Sequence, residues 1–494
     1  MNKLKLLPII PALLFSSAQC KEVKLKKPNV LFILVDDLGQ RDIGAFGSTF
    51  YETPNVDKLA AEGVMFTNAY AACPVCSPTR ASIMSGKYPA RLNITDWIPG
   101  RQSYINTDHD KMLSKPFMLQ LPLEEKTIAE ALKENGYQTF FVGKWHLGET
   151  EKFWPQHQGF DINIGGWSKG YPNNGYFSPY KNPMLADGPK GEFLTDRQGD
   201  ECVKFLENRN SDNPFFMYLS FYSVHNPQQG KPEIIEYFKK KATAMDIDQV
   251  DPFVTDLPWI KESEAQGEWK ERKIQSSPVY ASMVYSMDEN VGKVLSKLKE
   301  LGLEKNTVVI FMSDNGGLST AESSPTSNLP LRGGKGWLYE GGIREPMIIK
   351  WPGQVQAGSI IQKPVISTDF YPTILQMAGL DLLPEQHVDG ESLVPLLKND
   401  PTFIRQPLFW HYPHYSNQGD KPGGALRNGD YKLICRYEDN SYELYNLRTD
   451  ISETRNLIDQ EPEKAKEMIQ IFKDYLTKTN AQMMDVNPNY KGKR

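Results

Sequence analysis

Six short clusters in this chain bring together residue types that act on an anion. Cys76-Ser77-Pro78-Thr79-Arg80 is the sharpest of them. Pro78 suits the first turn of a helix that stops near Gly86. Cys76 then sits at or just before a helix N-terminus, where unpaired N–H groups and the dipole favour negative charge. Arg80, one turn on, can point at the same spot. Such a cysteine reads as a nucleophilic thiolate or as a buried structural thiol, and the residue alone leaves both open. The other clusters are Asp36-Asp37, Gly143-Lys144-Trp145-His146, Ser223-Val224-His225, Asp314-Asn315-Gly316 and Gly334-Lys335-Gly336. An Asp-Asp pair is a cation ligand or a capped turn, and Asp-Asn-Gly is ordinary turn chemistry as well. The lysine among glycines lacks the spacing, and the following Ser or Thr, of a phosphate loop. His146 and His225 are two of only seven histidines, and beside these clusters they read as acid–base groups.

Clusters so far apart in sequence need a scaffold that gathers them. Val30–Val35, Thr139–Val142, Phe215–Val224 and Thr307–Met312 are continuous apolar runs, as strands buried on both faces of a parallel sheet are. Each run leads into one of the polar clusters. Leu121–Asn135, stopped by Gly136, and Val279–Leu301, stopped by Gly302, carry helical spacing. The alternation predicts an α/β fold with a large doubly wound, mostly parallel sheet, whose ligands bind beyond the carboxyl ends of the strands. From about Pro384 the pattern changes to short strands at Gln406–Tyr412, Ala425–Tyr437 and Ser441–Leu447, then a helix at Pro462–Thr479. The expected division is a catalytic α/β domain over residues 28–385 and a smaller α+β domain over 386–494. That smaller domain, an antiparallel sheet plus helix, is expected to line the active-site mouth. The tail after Asn480 reads as poorly ordered.

Cys76-x-Pro78-x-Arg80 resembles the signature of the type I, formylglycine-dependent sulfatases of the alkaline phosphatase superfamily, which include bacterial carbohydrate sulfatases and arylsulfatases. The other clusters match that family in order, from about Asn29 to about Leu457. Cys73 does not fit, because Val75 stands where the proline belongs. The resemblance implies that Cys76 is oxidised to formylglycine (3-oxoalanine) by a formylglycine-generating or anaerobic sulfatase-maturating enzyme. It also implies one Ca2+ ion held by Asp36, Asp37, Asp314, Asn315 and the modified Cys76. Three carboxylates and an amide suit calcium better than zinc. Arg80, Lys144 and Lys335 supply local positive charge to the sulfuryl oxygens. In the implied mechanism the hydrated aldehyde attacks sulfur, and His225 with Lys335 protonates the leaving alcohol. His146 then takes a proton as sulfate is eliminated.

A net charge of −5, from 56 Lys+Arg against 61 Asp+Glu, gives no general field to attract nucleic acid. The cations must therefore act locally. Lys3 and Lys5, the apolar stretch Leu6–Phe15 and the small Ser16, Ser17 and Ala18 read as an export signal over residues 1–20. That stretch is too short to span a bilayer, and no other run is long enough, so no transmembrane segment is expected. Ser17-Ala18-Gln19-Cys20 loosely resembles a bacterial lipobox, departing from it at Ser17 and Gln19, and so a lipid anchor at Cys20 is weighed beside simple cleavage. An exported protein is expected, periplasmic or outer-membrane-associated in a Gram-negative bacterium. Cys73, Cys76, Cys202 and Cys435 are too sparse in 494 residues to be needed as disulfide staples.

Two rivals stand beside this reading. A formylglycine-dependent phosphodiesterase or phosphonate monoester hydrolase of the same fold tends to carry Asp-His-Gly where this chain has Asp314-Asn315-Gly316. A non-catalytic glycan-binding relative would have lost charged site residues, whereas every position here is filled. The expected substrate is a sulfated carbohydrate attacked exo-fashion, with galactose or N-acetylgalactosamine sulfate as the suggested class. The stretch Trp410–Gly419 is dense in aromatic and hydrogen-bonding side chains that suit a sugar ring. His411 and His414 are expected to touch the sugar, with Trp97 and Arg101 on the opposite wall.

Overall fold

The computed structural model describes residues 27–100, 108–255, 257 and 270–492. The expected export signal with Cys20, and Arg101, lie outside the described residues. Nine strands form one sheet in the order Ser359–Ile361, Val64–Tyr70, Arg344–Lys350, Thr307–Ser313, Asn29–Val35, Phe215–Ser220, Gln138–Gly143, Ile162–Ile164, with Val365–Ile366 also on Val64–Tyr70. All pairings are parallel except those of Arg344–Lys350 with its two neighbours. The apolar runs are continuous because both faces are covered. In the strand Asn29–Val35, Val30, Phe32 and Leu34 enter one core, while Leu31, Ile33 and Val35 enter the other. Helices Pro54–Glu62, Leu194–Asn208 and Pro278–Glu300 pack into the second core, and Cys76–Ser85, Ile128–Glu134 and Phe370–Met377 into the first.

The central four strands place the chemistry. Thr307–Ser313, Asn29–Val35, Phe215–Ser220 and Gln138–Gly143 are consecutive and parallel, with Val35 paired to Ser313 and Gly143 to Ser220. Strands lie about 4.8 Å apart. Residues just past their carboxyl ends, Asp36, Asp314, Lys144 and the loop to His225, must therefore emerge together.

A second sheet orders Leu408–Tyr412, Gly423–Asn428, Tyr431–Arg436 and Ser441–Asn446, all antiparallel, under the helix Pro462–Lys478. Ala465, Met468, Phe472 and Tyr475 of that helix share a core with Trp410, Leu426 and Ile434. Buried polar contacts tie this sheet to the first unit: Lys432 meets Glu340 at 3.0 Å, the Glu340 amide donates to Glu453 Oε2 at 2.7 Å, and Trp410 Nε1 donates to the Ala71 carbonyl. Among the described residues no helix is long and apolar enough to cross a membrane.

Three local expectations are corrected. Ala425–Tyr437 is not one strand but a hairpin, turning at Asn428-Gly429-Asp430, where Gly429 takes φ 61°. Asn428 still pairs with Tyr431, so the two-residue loop is Gly429-Asp430, with glycine at the first central position where the left-handed φ is needed. The helix expected from Leu121 begins only at Ile128, where Thr127 and Glu130 form a reciprocal cap. The tail after Asn480 is held in place: Asp485–Val486 pairs with Met112–Leu113, and Asn487 N donates to the Lys111 carbonyl.

Candidate active site

Cys76 is the first residue of the helix Cys76–Ser85, entered through extended backbone at Val75 and left through a left-handed Gly86. All ten of its residues are buried, so the helix N-terminus faces protein and not bulk water. Arg80 reaches back toward the strand ends, as its spacing requires. Its Nε donates to Asp314 Oδ2 at 2.8 Å, and its Nη1 donates to the Lys144 carbonyl and to Ser220 Oγ.

The carboxylates are matched to cations one by one. Lys144 Nζ donates to both oxygens of Asp36 at 2.7 Å, and Lys335 Nζ donates to Asp37 Oδ2 at 2.7 Å. Asn315 Nδ2 donates to Asp37 Oδ1 at 2.8 Å, and the Asp37 amide donates to Asp314 Oδ1 at 3.2 Å. Burial, and after it the charges of Asp314 and Asp37, raise the Asp36 carboxyl well above the usual range in spite of Lys144. Asp37 is pushed up by burial too, yet the Lys335 ammonium holds it below its ordinary value. Asp37 and His146 are both non-glycine residues at φ 60°, a region that costs about 1–3 kcal/mol and concentrates at functional sites.

This arrangement fits a hard cation. Ligand atoms of Asp36, Cys76 and Asp314 lie within 4.8 Å of one another, all buried. Asn315 Oδ1, fully buried, has no hydrogen-bond partner among the described residues. A buried carbonyl oxygen left bare costs free energy unless something positive faces it. Crowded carboxylates with a spare amide oxygen make an oxygen-donor set for calcium or magnesium, and among the described residues the grouped ligand atoms include one thiol and no histidine nitrogen.

The two histidines are held as neutral imidazoles. Burial and the Lys144 charge keep His146 well below its usual range, and burial with Lys335 brings His225 down to about 3. His146 Nε2 sits on the Ile98 carbonyl, so that nitrogen carries the hydrogen, and Nδ1 is a buried acceptor with no partner among the described residues. Ser77 Oγ donates to the His146 carbonyl and accepts from Ile98 N, so the residue after Cys76 fixes the histidine loop. A Cβ at Gly170 would fall 2.2 Å from the His146 ring, and one at Gly143 would fall 1.8 Å from the Ser220 carbonyl. Both glycines are needed for close approach. His225 Nδ1 lies 2.8 Å from the Asn226 carbonyl, and its Nε2 is 3.7 Å from Asp37 Oδ2.

A cavity of about 600 Å3 opens over these groups. Cys76, His146, His225 and Lys335 are on its lining, with Trp97, Tyr171, Asn417 and Gln418 among the wall residues. Trp97, expected opposite the Trp410–Gly419 stretch, is on this lining. His411 and His414 are not part of this wall. His411, 3% exposed, lies between Tyr437 OH at 2.7 Å and the Gln482 carbonyl at 3.1 Å, and burial lowers it to about 4. His414, 1% exposed, bonds Thr95 Oγ1 at 2.8 Å and packs edge-on to Phe117. The strand that carries His411 ends at Tyr412, and only the loop tip beyond it, Asn417 and Gln418, reaches the cavity. Glu149, Ser168, Lys169 and Glu322 also line it and went unnoticed in the sequence, as did Ser77 and Gly170.

The sulfatase family profile matches residues 28–380, and a profile described as N-sulphoglucosamine sulphohydrolase, C-terminal, matches residues 334–482. A sulfatase of Formosa agariphila is 31% identical across 97% of this chain and 94% of its own length. An N-acetylgalactosamine-6-sulfatase of Rattus norvegicus is 30% identical across 92% of this chain and 79% of its own. The crystal structure of Ps i-CgsB in complex with k-i-k-neocarrahexaose shares 30% identity and a TM-score of 0.71, covering 91% of this chain and 93% of that one. Motif order, sheet topology and these matches agree, and the chain belongs to the sulfatase family, the hydrolases of sulfuric esters.

Proposed function

We propose that this sulfatase removes sulfate exo-fashion from a sulfated carbohydrate, with Cys76 converted to formylglycine and one calcium ion bound. The observation that carries the reading is the shared cavity: sulfur-directed groups on its floor, aromatic and amide groups on its wall. Burial raises the Cys76 thiol above its usual range and outweighs the pull of Lys144 and Lys335. As encoded, the residue is therefore a poor thiolate nucleophile, which supports conversion over direct thiol attack. Formylglycine at position 76 supplies a hydroxyl nucleophile when hydrated and an elimination route back to the aldehyde. Calcium, held by Asp36, Asp37, Asp314, the free Asn315 Oδ1 and residue 76, supplies charge that offsets the anionic ester.

The remaining work belongs to side chains of this chain. Lys144 and Arg80 balance Asp36 and Asp314, fixing those oxygens, and Lys335 presents its ammonium to the cavity. His146 Nδ1 is placed to accept a proton. Lys335 carries a proton toward the leaving oxygen, with the neutral His225 beside it. Tyr171 and Trp97 offer apolar faces to a sugar ring, and Asn417 and Gln418 offer amides to its hydroxyls. An exported location, periplasmic or at the outer membrane, completes the proposal, with residues 1–20 removed or Cys20 lipidated. The division at residues 385/386 and the maturating enzyme are part of it too.

The test is sulfate release from sulfated mono- and oligosaccharides, beside 4-nitrophenyl sulfate and a phosphodiester. The name of the rat relative makes 6-sulfated N-acetylgalactosamine the first to try. Chelation should abolish turnover, calcium should restore it, and the Cys76 peptide should lose mass relative to cysteine. Preferred turnover of the phosphodiester, or restoration by zinc and not calcium, would overturn the reading. Calcium at a hundred times its Kd should add about 2.7 kcal/mol of stability.

A further inference from the structure

The cavity mouth carries a carboxylate that an anion-binding pocket would be expected to avoid. Glu322 lines the same cavity as Cys76, His225 and Lys335, is exposed, and stands at φ 55°. Both of its oxygens are held. Gln418 Nε2 donates to Oε1 at 3.1 Å, and Asn226 Nδ2 donates to Oε2. Those amides are fixed in turn: Asn226 Oδ1 accepts from Gln228 Nε2 and Ser323 Oγ, Gln418 Oε1 accepts from Ser416 Oγ at 3.1 Å, and the main-chain carbonyl of Gln418 accepts from Thr320 Oγ1 and Trp337 Nε1. Three segments remote in sequence thus converge to aim one carboxylate. A side chain placed only for solubility would not be gripped at both oxygens, in a backbone region that non-glycine residues rarely adopt.

A carboxylate accepts about four hydrogen bonds, and two sites remain after the amides. Two remaining acceptors on one rigid carboxylate suit hydroxyls on adjacent ring carbons. Glu149 and Lys169 also line the cavity and offset one another in charge, so Glu322 leaves the mouth net negative, whereas on the floor Lys335 is balanced by Asp37.

We infer that Glu322 sets specificity, accepting free hydroxyls beside the sulfated position and rejecting sugars that carry a second sulfate or a carboxylate there. This rests on the carbohydrate reading above and narrows it to sugars with one anion at the reacting end. The test compares kcat/KM for a hexose monosulfate, the matching vicinal disulfate and 4-nitrophenyl sulfate, in the wild type and in Glu322→Gln. The wild type should prefer monosulfate to disulfate at least tenfold. In the variant that ratio should shrink at least tenfold, and monosulfate turnover should fall at least tenfold more than aryl sulfate turnover. The ratios are internal to each preparation, so partial misfolding of the variant does not disturb them. A wild type that hydrolyses the monosulfate and a variant with unchanged ratios would overturn the inference alone. A wild type active on aryl sulfate and on no sulfated sugar would overturn the carbohydrate reading and this inference with it.

Discussion

The floor of the cavity and its rim are built in opposite ways. Asp36, Asp314, Asn315 and Lys144 are wholly buried and hang from neighbouring strand ends, with Lys144 paired to Asp36 and Arg80 to Asp314. Tyr171, Lys169 and Glu322 are exposed; Lys169 and Tyr171 share one loop, Glu322 lies in a second, and the Asn417–Gln418 tip of a hairpin in the other sheet makes a third. Chemistry that must be done in the same way on every substrate is carried by the rigid part. Choice among substrates is carried by loops that can change without disturbing the sheet. The contrast predicts that floor substitutions harm turnover on every ester, and rim substitutions on sugars alone.

Cys76→Ala should show the contrast most strongly. Turnover should fall by roughly a thousandfold or more on saccharide and aryl sulfate alike, while the melting temperature hardly moves. Retained activity in a clean preparation would break the floor's claim to the chemistry. Lys144→Ala comes next, because it leaves Asp36 buried beside Asp314 and Asp37 without its partner. Denaturant unfolding should show a loss of about 3–5 kcal/mol, and kcat a loss of about a hundredfold. A stable, active Lys144→Ala would mean that the floor is less interdependent than its pairing suggests. The finest comparison sets Trp97→Ala against His411→Ala. Trp97→Ala should raise KM several-fold on the saccharide only. His411→Ala should cost about 1–3 kcal/mol of stability by unpairing Tyr437, lowering activity on both substrates by the same factor. A sugar-specific loss in His411→Ala would return that residue to the wall.

Asp36, Lys144 and Asp314 could be read from sequence because each follows a strand signal within one or two positions. Val30–Val35 announces Asp36, and Thr307–Met312 announces Ser313 and Asp314. A parallel sheet converts that local adjacency into spatial adjacency without any further information. The rim had no such rule. His411 can hydrogen-bond a sugar as readily as Gln418, and nothing in the run Trp410–Gly419 says that the strand stops at Tyr412. Glu322 sits in a Ser- and Pro-rich loop where a lone acid is unremarkable, and its meaning depends on amides at 226 and 418. Ser77 and Gly170 are small residues whose importance lies in what approaches them, which no periodicity reports. The hairpin turn is legible, since Gly429-Asp430 between two apolar runs is a two-residue turn signal.

The tie between the two sheets has an evolutionary consequence. Lys335 sits two residues before Trp337, whose ring nitrogen donates to the Gln418 carbonyl, and five before Glu340, which pairs with Lys432. A recombination event that exchanged only the second sheet would strip the segment carrying Lys335 of its neighbours. Inheritance of a new rim therefore favours transfer of a block that starts upstream of Lys335, so that a floor residue travels with the specificity loops. Lineages that diversify by such exchange would keep Lys335 as the passenger that makes each new rim workable at once.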